Sequence, residues 1–190
     1  MSKVTKILLI LSPIFLAWLL CLPRHIFDRS CSTTMYAADG SLLGARISDD
    51  GQWRFEPSGD VPEKFARCII TCEDKRFRFH PGVDLLSVGR AVVQNLRRGE
   101  VVSGASTITM QVIRLSRPDK PRSYAEKIYE MILATRLELR CTKKEILRMY
   151  ASNAPFGGNV IGLEAAAWRY FGRPSEELSW AESATLAVLP

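Results

Sequence analysis

Two adjacent acids, Glu73 and Asp74, close an apolar helical stretch and run into the basic, aromatic turn Lys75-Arg76-Phe77-Arg78-Phe79-His80-Pro81-Gly82. A carboxylate at such a boundary can face an open cleft. Shielded by aromatic neighbours, it would hold its proton to a higher pH than usual, which is what a general base needs. The same residues also read as a solvated helix end in which Glu73 pairs with Lys75 or Arg76, an arrangement of little energetic weight.

A second group, Gly104-Ala105-Ser106-Thr107-Ile108-Thr109-Met110-Gln111, joins a flexible glycine to hydroxyls and an amide before reaching Arg114 and Arg117. Hydroxyls and backbone N–H groups at a helix start, backed by arginines, suit a phosphate or pyrophosphate. They equally suit an ordinary Ser/Thr helix cap. Lys127 and Glu130 fall at i and i+3, so on a helix they share a face. At a surface they make a weak ion pair; in a cleft they set a cation against a leaving phosphate and a carboxylate near a metal ion.

Helices must carry these groups, because the stretch from Asp60 to Pro190 is punctuated by helix-start signals. Asp60-Val61-Pro62-Glu63 offers an acidic cap, an early proline and a glutamate three residues on, and Ser123 with Glu126, Thr142 with Glu145 and Ser179 with Glu182 repeat the spacing. Asp84 predicts a further start, with Leu85, Val88, Val92 and Leu96 along one face until Gly99. Ile128, Ile132, Thr135 and Leu139 form a similar stripe. Upstream, two apolar pieces flank Asp39-Gly40, a strong hairpin signal, and a second turn at Asp49-Asp50-Gly51 precedes Gln52-Trp53-Arg54-Phe55. Residues 33–57 therefore read as a small β element. The chain is mainly α, and the absence of βαβ alternation argues against a nucleotide-binding α/β fold.

The 190 residues hold one ordinary domain plus an attachment. A net charge of +6 favours anionic partners, whether nucleic acid, phospholipid headgroups or a phosphorylated substrate. The amino terminus discriminates among these: Lys3 and Lys6 precede an apolar run from Ile7 to Leu22 broken only by Ser12 and Pro13, with no small-x-small cleavage site before Pro23. An uncleaved anchor with a cytoplasmic amino terminus is expected, crossing a thin region or tilted because the run is short. A nucleic-acid partner is not expected, since it would leave the anchor and the ordered acids unexplained. The cysteines, Cys21, Cys31, Cys68, Cys72 and Cys141, are odd in number and widely spaced, which suits packing better than a disulfide framework or a zinc site.

Taken together, the pieces resemble the glycosyltransferase family found in class A penicillin-binding proteins and monofunctional peptidoglycan glycosyltransferases. The motif E-D-x-x-F-x-x-H-x-G is met by Glu73, Asp74, Phe77, His80 and Gly82. G-x-S-T-x-T-x-Q is met by Gly104, Ser106, Thr107, Thr109 and Gln111, with Arg114 where lysine is usual. R-K-x-x-E keeps Lys127 and Glu130 but has Glu126 for arginine, and K-x-E-I-L-x-x-Y-L-N-x-x-x-F-G is represented by Lys143, Glu145, Ile146, Leu147, Tyr150, Phe156 and Gly157, with Ser152 for asparagine. The likeness runs over about residues 35–190, and Met110 with Ala154-Pro155-Phe156-Gly157-Gly158 is most like the 1C branch.

The resemblance implies a lysozyme-like, mainly α glycosyltransferase domain over residues 60–190, cut short at its carboxyl end, behind a membrane anchor (1–26) and a β-hairpin linker (27–59). It implies polymerisation of lipid II into glycan strands at the outer face of the bacterial inner membrane, with inversion and release of undecaprenyl pyrophosphate. Glu73 would be the general base. Ser106, Thr107, Gln111, Arg114 and Lys127 would bind the diphosphate, and Glu130 would position it or a divalent cation, magnesium or manganese. Asp74, Phe77 and His80 would support Glu73. Partners would be lipid II, the nascent strand and a transpeptidase, because no Ser-x-x-Lys or Lys-Thr-Gly element is present. Glu126 removes a cation near the diphosphate unless its side chain turns back to Ser123 as the second half of a capping box. Together with the end of the chain, it motivates the competing expectation of a non-catalytic module that binds lipid II or scaffolds cell-wall enzymes. A lysozyme-like hydrolase is the third.

Overall fold

The computed structural model describes residues 3–57, 59–98 and 105–190. Gly99 and Gly104, and the side chains of Val92 and Leu96, lie outside the described residues.

Helix α1 (Lys3–Leu20) is followed by the hairpin β1 (Thr33–Tyr36) and β2 (Leu42–Arg46), antiparallel across the Asp39-Gly40 turn. Asp39 accepts the backbone N–H and the hydroxyl of Ser41 there, and Gly40 takes a φ of 84°. The second piece, β3 (Trp53–Arg54), does not extend the hairpin. It pairs in parallel with β4 (Val160–Ile161), so the expected single β element is two, and the second is tied into the carboxyl-terminal half. That pairing depends on a partner distant in sequence, which no local pattern encodes.

The remaining helices are α2 (Glu63–Glu73), α3 (Leu85–Arg98), α4 (Ile108–Leu115), α5 (Tyr124–Arg140), α6 (Lys143–Asn153), α7 (Leu163–Phe171) and α8 (Trp180–Ala187). Thr142 and Ser179 form complete capping boxes with Glu145 and Glu182. The cap of α2 differs from expectation: its N-cap is Pro62, and Asp60 instead pairs with Lys144 at 2.7 Å. Asp84 caps α3 by accepting from the N–H groups of Leu86 and Ser87.

The core gathers around α4, in which every residue from Ile108 to Ile113 is buried. A helix buried on all sides must be packed by neighbours on all sides, and α4 lies against α5 and α6 while α2 packs on α8. Phe65 and Ile69 of α2, Leu133 and Leu137 of α5, Ile146 of α6 and Leu186 of α8 are buried in one cluster. Each such side chain contributes about 1.5–3 kcal/mol through removal from water. The stripe Ile128, Ile132 and Leu139 on α5 faces outward, whereas Glu130, Leu133, Ala134 and Leu137 face the core. The stripe differs from the buried row because α5 packs on α4 through Leu133 and Leu137; α1 meets its other side, where the Trp18 indole N–H donates to Thr135 Oγ1 at 3.3 Å and Arg136 Nε donates to the Leu19 carbonyl at 3.0 Å. Among the described residues, no helix is long and apolar enough to cross a membrane. All five cysteines are free thiols.

The turn after α2 is held against α5 by Gly82, whose φ is 91° and whose hypothetical Cβ would sit 2.6 Å from the Ala134 carbonyl oxygen. Gly82→Ala is therefore expected to cost about 3 kcal/mol or more, since both backbone strain and a clash with helix backbone arise together. In a thermal melt this would lower the midpoint by roughly 6–12 °C. An unchanged midpoint would contradict the packing described.

Candidate active site

Glu73 is the last residue of α2, and its Oε2 accepts a 2.6 Å hydrogen bond from the Gln111 side-chain amide of α4. Gln111 Oε1 in turn accepts from Arg114 Nη2 at 3.4 Å. The amide therefore links the carboxylate to the first arginine at the far end of α4. Among the described residues Glu73 makes no ion pair. Arg76 is committed to Asp84, which it meets through Nε and Nη2 at 2.8–2.9 Å, so the solvated pair of Glu73 with Arg76 is not formed.

Asp74, Phe77 and His80 lie in the turn that follows Glu73. Both Asp74 oxygens lie 2.9–3.0 Å from His80 Nε2, and Oδ2 also accepts the Ile108 N–H at the start of α4. A carboxylate there satisfies a donor that the helix leaves free and sits at the positive end of its dipole. Phe77 is turned into the core, and Lys143 stands over its ring at 4.5 Å while donating to Glu138 and to the His80 carbonyl. Neither phenylalanine of the turn shields Glu73. Phe77 is buried away from the cleft, Phe79 is 86% exposed, and the cleft wall is built from Cys72, Lys75, Arg76, Asp84 and Ser87 among others.

Thr107 is the N-cap of α4; its Oγ1 accepts from the Met110 N–H and donates to the Gly82 carbonyl at 2.6 Å. Its hydroxyl is therefore spent on the fold. Ser106, the residue before it, lines two clefts at once. One, of about 400 Å³, contains Glu73, Asp74, Arg76 and Asp84. The other, of about 480 Å³, contains Arg114, Arg117, Lys120, Arg122, Lys127 and Glu130 with Glu126. The Glu73 carboxylate thus stands across one serine from a strongly cationic hollow.

Glu130 is buried on the floor of the cationic cleft. Burial pushes its carboxyl upward against the pull of Arg114, Lys127 and Arg117, with Glu126 adding to the rise. Among the described residues no group of three or more metal-capable side chains occurs. Glu130 alone fits magnesium or manganese only if phosphate oxygens and water complete the shell, which is the donor set such ions accept.

Two further residues bear on the site. Tyr150 of α6 is buried with its hydroxyl unpartnered among the described residues; burial raises its pKa, the Glu73 charge raises it further and Arg114 opposes. Arg117 lines the cationic cleft beside Glu126. It is the second of the two arginines that follow the Ser/Thr run in the sequence.

Asp84 offers a pH test of the frame. Burial pushes its carboxyl up, but bonds from Arg76 and Ser87 outweigh this and bring it from 3.8 down to about 2. A depressed folded-state value gives stability that is full above 3.8 and lost as pH falls towards about 2. Urea unfolding in that window should show a decline that Asp84→Asn flattens; an equally steep decline in the variant would assign the acid sensitivity elsewhere.

The family described as Transglycosylase matches residues 40–190. Penicillin-binding protein 1C of Escherichia coli (strain K12) is 41% identical over 169 residues, covering 88% of this chain and 22% of that protein. Penicillin-binding protein 1A of Pseudomonas aeruginosa is 40% identical over 158 residues, covering 82% and 19%, and that of Neisseria cinerea is 40% identical over 157 residues, covering 83% and 19%. The chain spans about a fifth of the length of these relatives.

Proposed function

The chain belongs to the transglycosylase family and carries a glycosyltransferase domain of the class A penicillin-binding protein kind, and on that premise we propose that it polymerises lipid II into peptidoglycan strands. The observation that carries this reading is the shared Ser106 wall, which sets the Glu73 cleft against the cationic cleft.

In the proposed reaction Glu73 takes the proton from the acceptor sugar's 4-hydroxyl as that oxygen attacks the anomeric carbon of the donor. The bond from that carbon to the diphosphate breaks on the opposite face, giving inversion and undecaprenyl pyrophosphate. Negative charge grows on the leaving group, and Arg114 and Lys127 are the pre-placed cations that meet it. Gln111 contributes by holding Glu73 through its amide N–H and contacting Arg114 through its carbonyl, so base and cation keep a fixed separation. Ser106 supplies a hydroxyl between donor and acceptor, and Thr107 acts by anchoring the start of α4. Asp74, Phe77 and His80 fix the turn on which Glu73 ends. A divalent cation would be held by Glu130 together with the diphosphate and would supply further charge neutralisation there.

The wider fold proposed is lysozyme-like, with residues 1–26 as anchor, 27–59 as linker and 60–190 as catalytic domain. α1 leaves Leu9, Leu11, Phe15, Leu16 and Leu20 exposed, a surface suited to lipid. An amino terminus in the cytoplasm would keep the clefts on the outer side, where a lipid-linked substrate diffuses in two dimensions. A transpeptidase partner would act on the strands made.

The test is incubation of the detergent-purified chain with lipid II and, separately, with intact sacculi. Glycan polymer with undecaprenyl pyrophosphate from the first and no change in the second is expected. Soluble muropeptides from sacculi would establish a hydrolase, and lipid II binding without polymer would reject the enzymatic reading.

A further inference from the structure

Of the helix starts whose sequence has a cap and a glutamate three residues on, α6 and α8 close both halves of the box. At α5 only one half closes: Ser123 Oγ accepts the Glu126 N–H, but the Glu126 side chain does not return to Ser123. It reaches across the cationic cleft to Arg117. Oε1 lies 2.5 Å from Arg117 Nη1, and Nη2 donates to Oε2 at 3.4 Å. Nη1 has no well-directed hydrogen bond, so its contact is chiefly coulombic. The guanidinium also lies over the Tyr129 ring, 4.5 Å from its centroid, and so is held from two sides.

The pair is poorly exposed, with 25% and 19% of the two side chains reaching solvent. A half-buried carboxylate next to a guanidinium turns the cation into one end of a dipole, so its pull on an anion falls off steeply with distance, and the carboxylate repels any anion entering the same hollow. Arg114 and Lys127 have no such partner among the described residues. Of the five cations lining the cleft, Arg114, Arg117, Lys120, Arg122 and Lys127, Arg117 is therefore the one withheld by an ion pair with Glu126.

We infer that Glu126 sets the affinity of this cleft by latching Arg117, keeping the site weak enough to release a diphosphate after each transfer. The inference rests on the reading of the cleft as a diphosphate site. It also assigns a purpose to the departure from the family motif at this position, since an acid here lowers affinity without emptying the site of cations.

Inorganic pyrophosphate binding to the full chain in detergent, by calorimetry at two salt concentrations, tests it. Glu126→Gln keeps the backbone N–H that Ser123 caps, so α5 should still start correctly, and circular dichroism checks that it does. The variant should bind pyrophosphate roughly three- to tenfold more tightly, with a steeper salt dependence. Arg117→Ala added to Glu126→Gln should abolish that gain, because the gain belongs to the freed guanidinium. Unchanged or weaker binding in Glu126→Gln, or a gain that survives loss of Arg117, would overturn the latch while leaving the diphosphate reading intact. No binding by the wild-type chain, or wild-type binding that survives Lys127→Ala undiminished, would overturn the diphosphate reading and the latch with it.

Discussion

Glu73→Gln is expected to lower lipid II polymerisation by roughly a hundred- to ten-thousandfold while leaving lipid II binding nearly unchanged. Glutamine has almost the same shape, and its carbonyl can still accept the Gln111 amide N–H that now meets Oε2 at 2.6 Å. What it loses is the capacity to take the acceptor's proton. A defect of this kind falls on kcat, because the base acts only as the new bond forms. A fall in affinity with turnover intact would mean that the residue binds substrate and that the base lies elsewhere.

Lys127→Ala should cost roughly a hundred- to a thousandfold in turnover, the range seen when one pre-placed stabiliser of developing charge is removed. Lys127 is the cleaner choice than Arg114. Arg114 also touches Gln111 Oε1 at 3.4 Å, so its removal disturbs the group that holds Glu73 and mixes two effects. Steady-state kinetics across a range of lipid II concentrations checks this: loss mainly in kcat marks charge stabilised in the transition state, whereas loss only in KM would mark ground-state binding.

Local chemistry was legible in the sequence and long-range chemistry was not. The boxes at Thr142 and Ser179 are written within four residues, and the structure closes both. At Ser123 the same spelling yields half a box, because Arg117 offers the Glu126 carboxylate a full charge where Ser123 offers a backbone dipole. The α5 stripe misled for a related reason. Ile128 and Ile132 have the periodicity of a core face, but that helix buries Leu133 and Leu137 against α4, and Thr135 on the outer side meets Trp18 of α1. Nothing within α5 says which apolar row meets which neighbour. The site shows the same division. Glu73, Ser106, Arg114, Lys127 and Glu130 of the motifs line two adjoining clefts, yet the partnership of Glu73 with Gln111, separated by 38 positions, required the tertiary fold. Likewise Thr107 looked like a ligand for phosphate and is consumed by Met110 and Gly82.

Sugar-chain synthesis by this chain requires a lipid-linked diphosphate to sit on the cationic side of Ser106, opposite Glu73. A crystal structure of the chain with a non-hydrolysable lipid II analogue would decide it. Phosphate oxygens within hydrogen-bonding distance of Arg114 and Lys127, with the Glu73 carboxylate directed at the acceptor side beyond Ser106, are predicted. A diphosphate bound in the Glu73 cleft, or on a surface remote from α4 and α5, would contradict it.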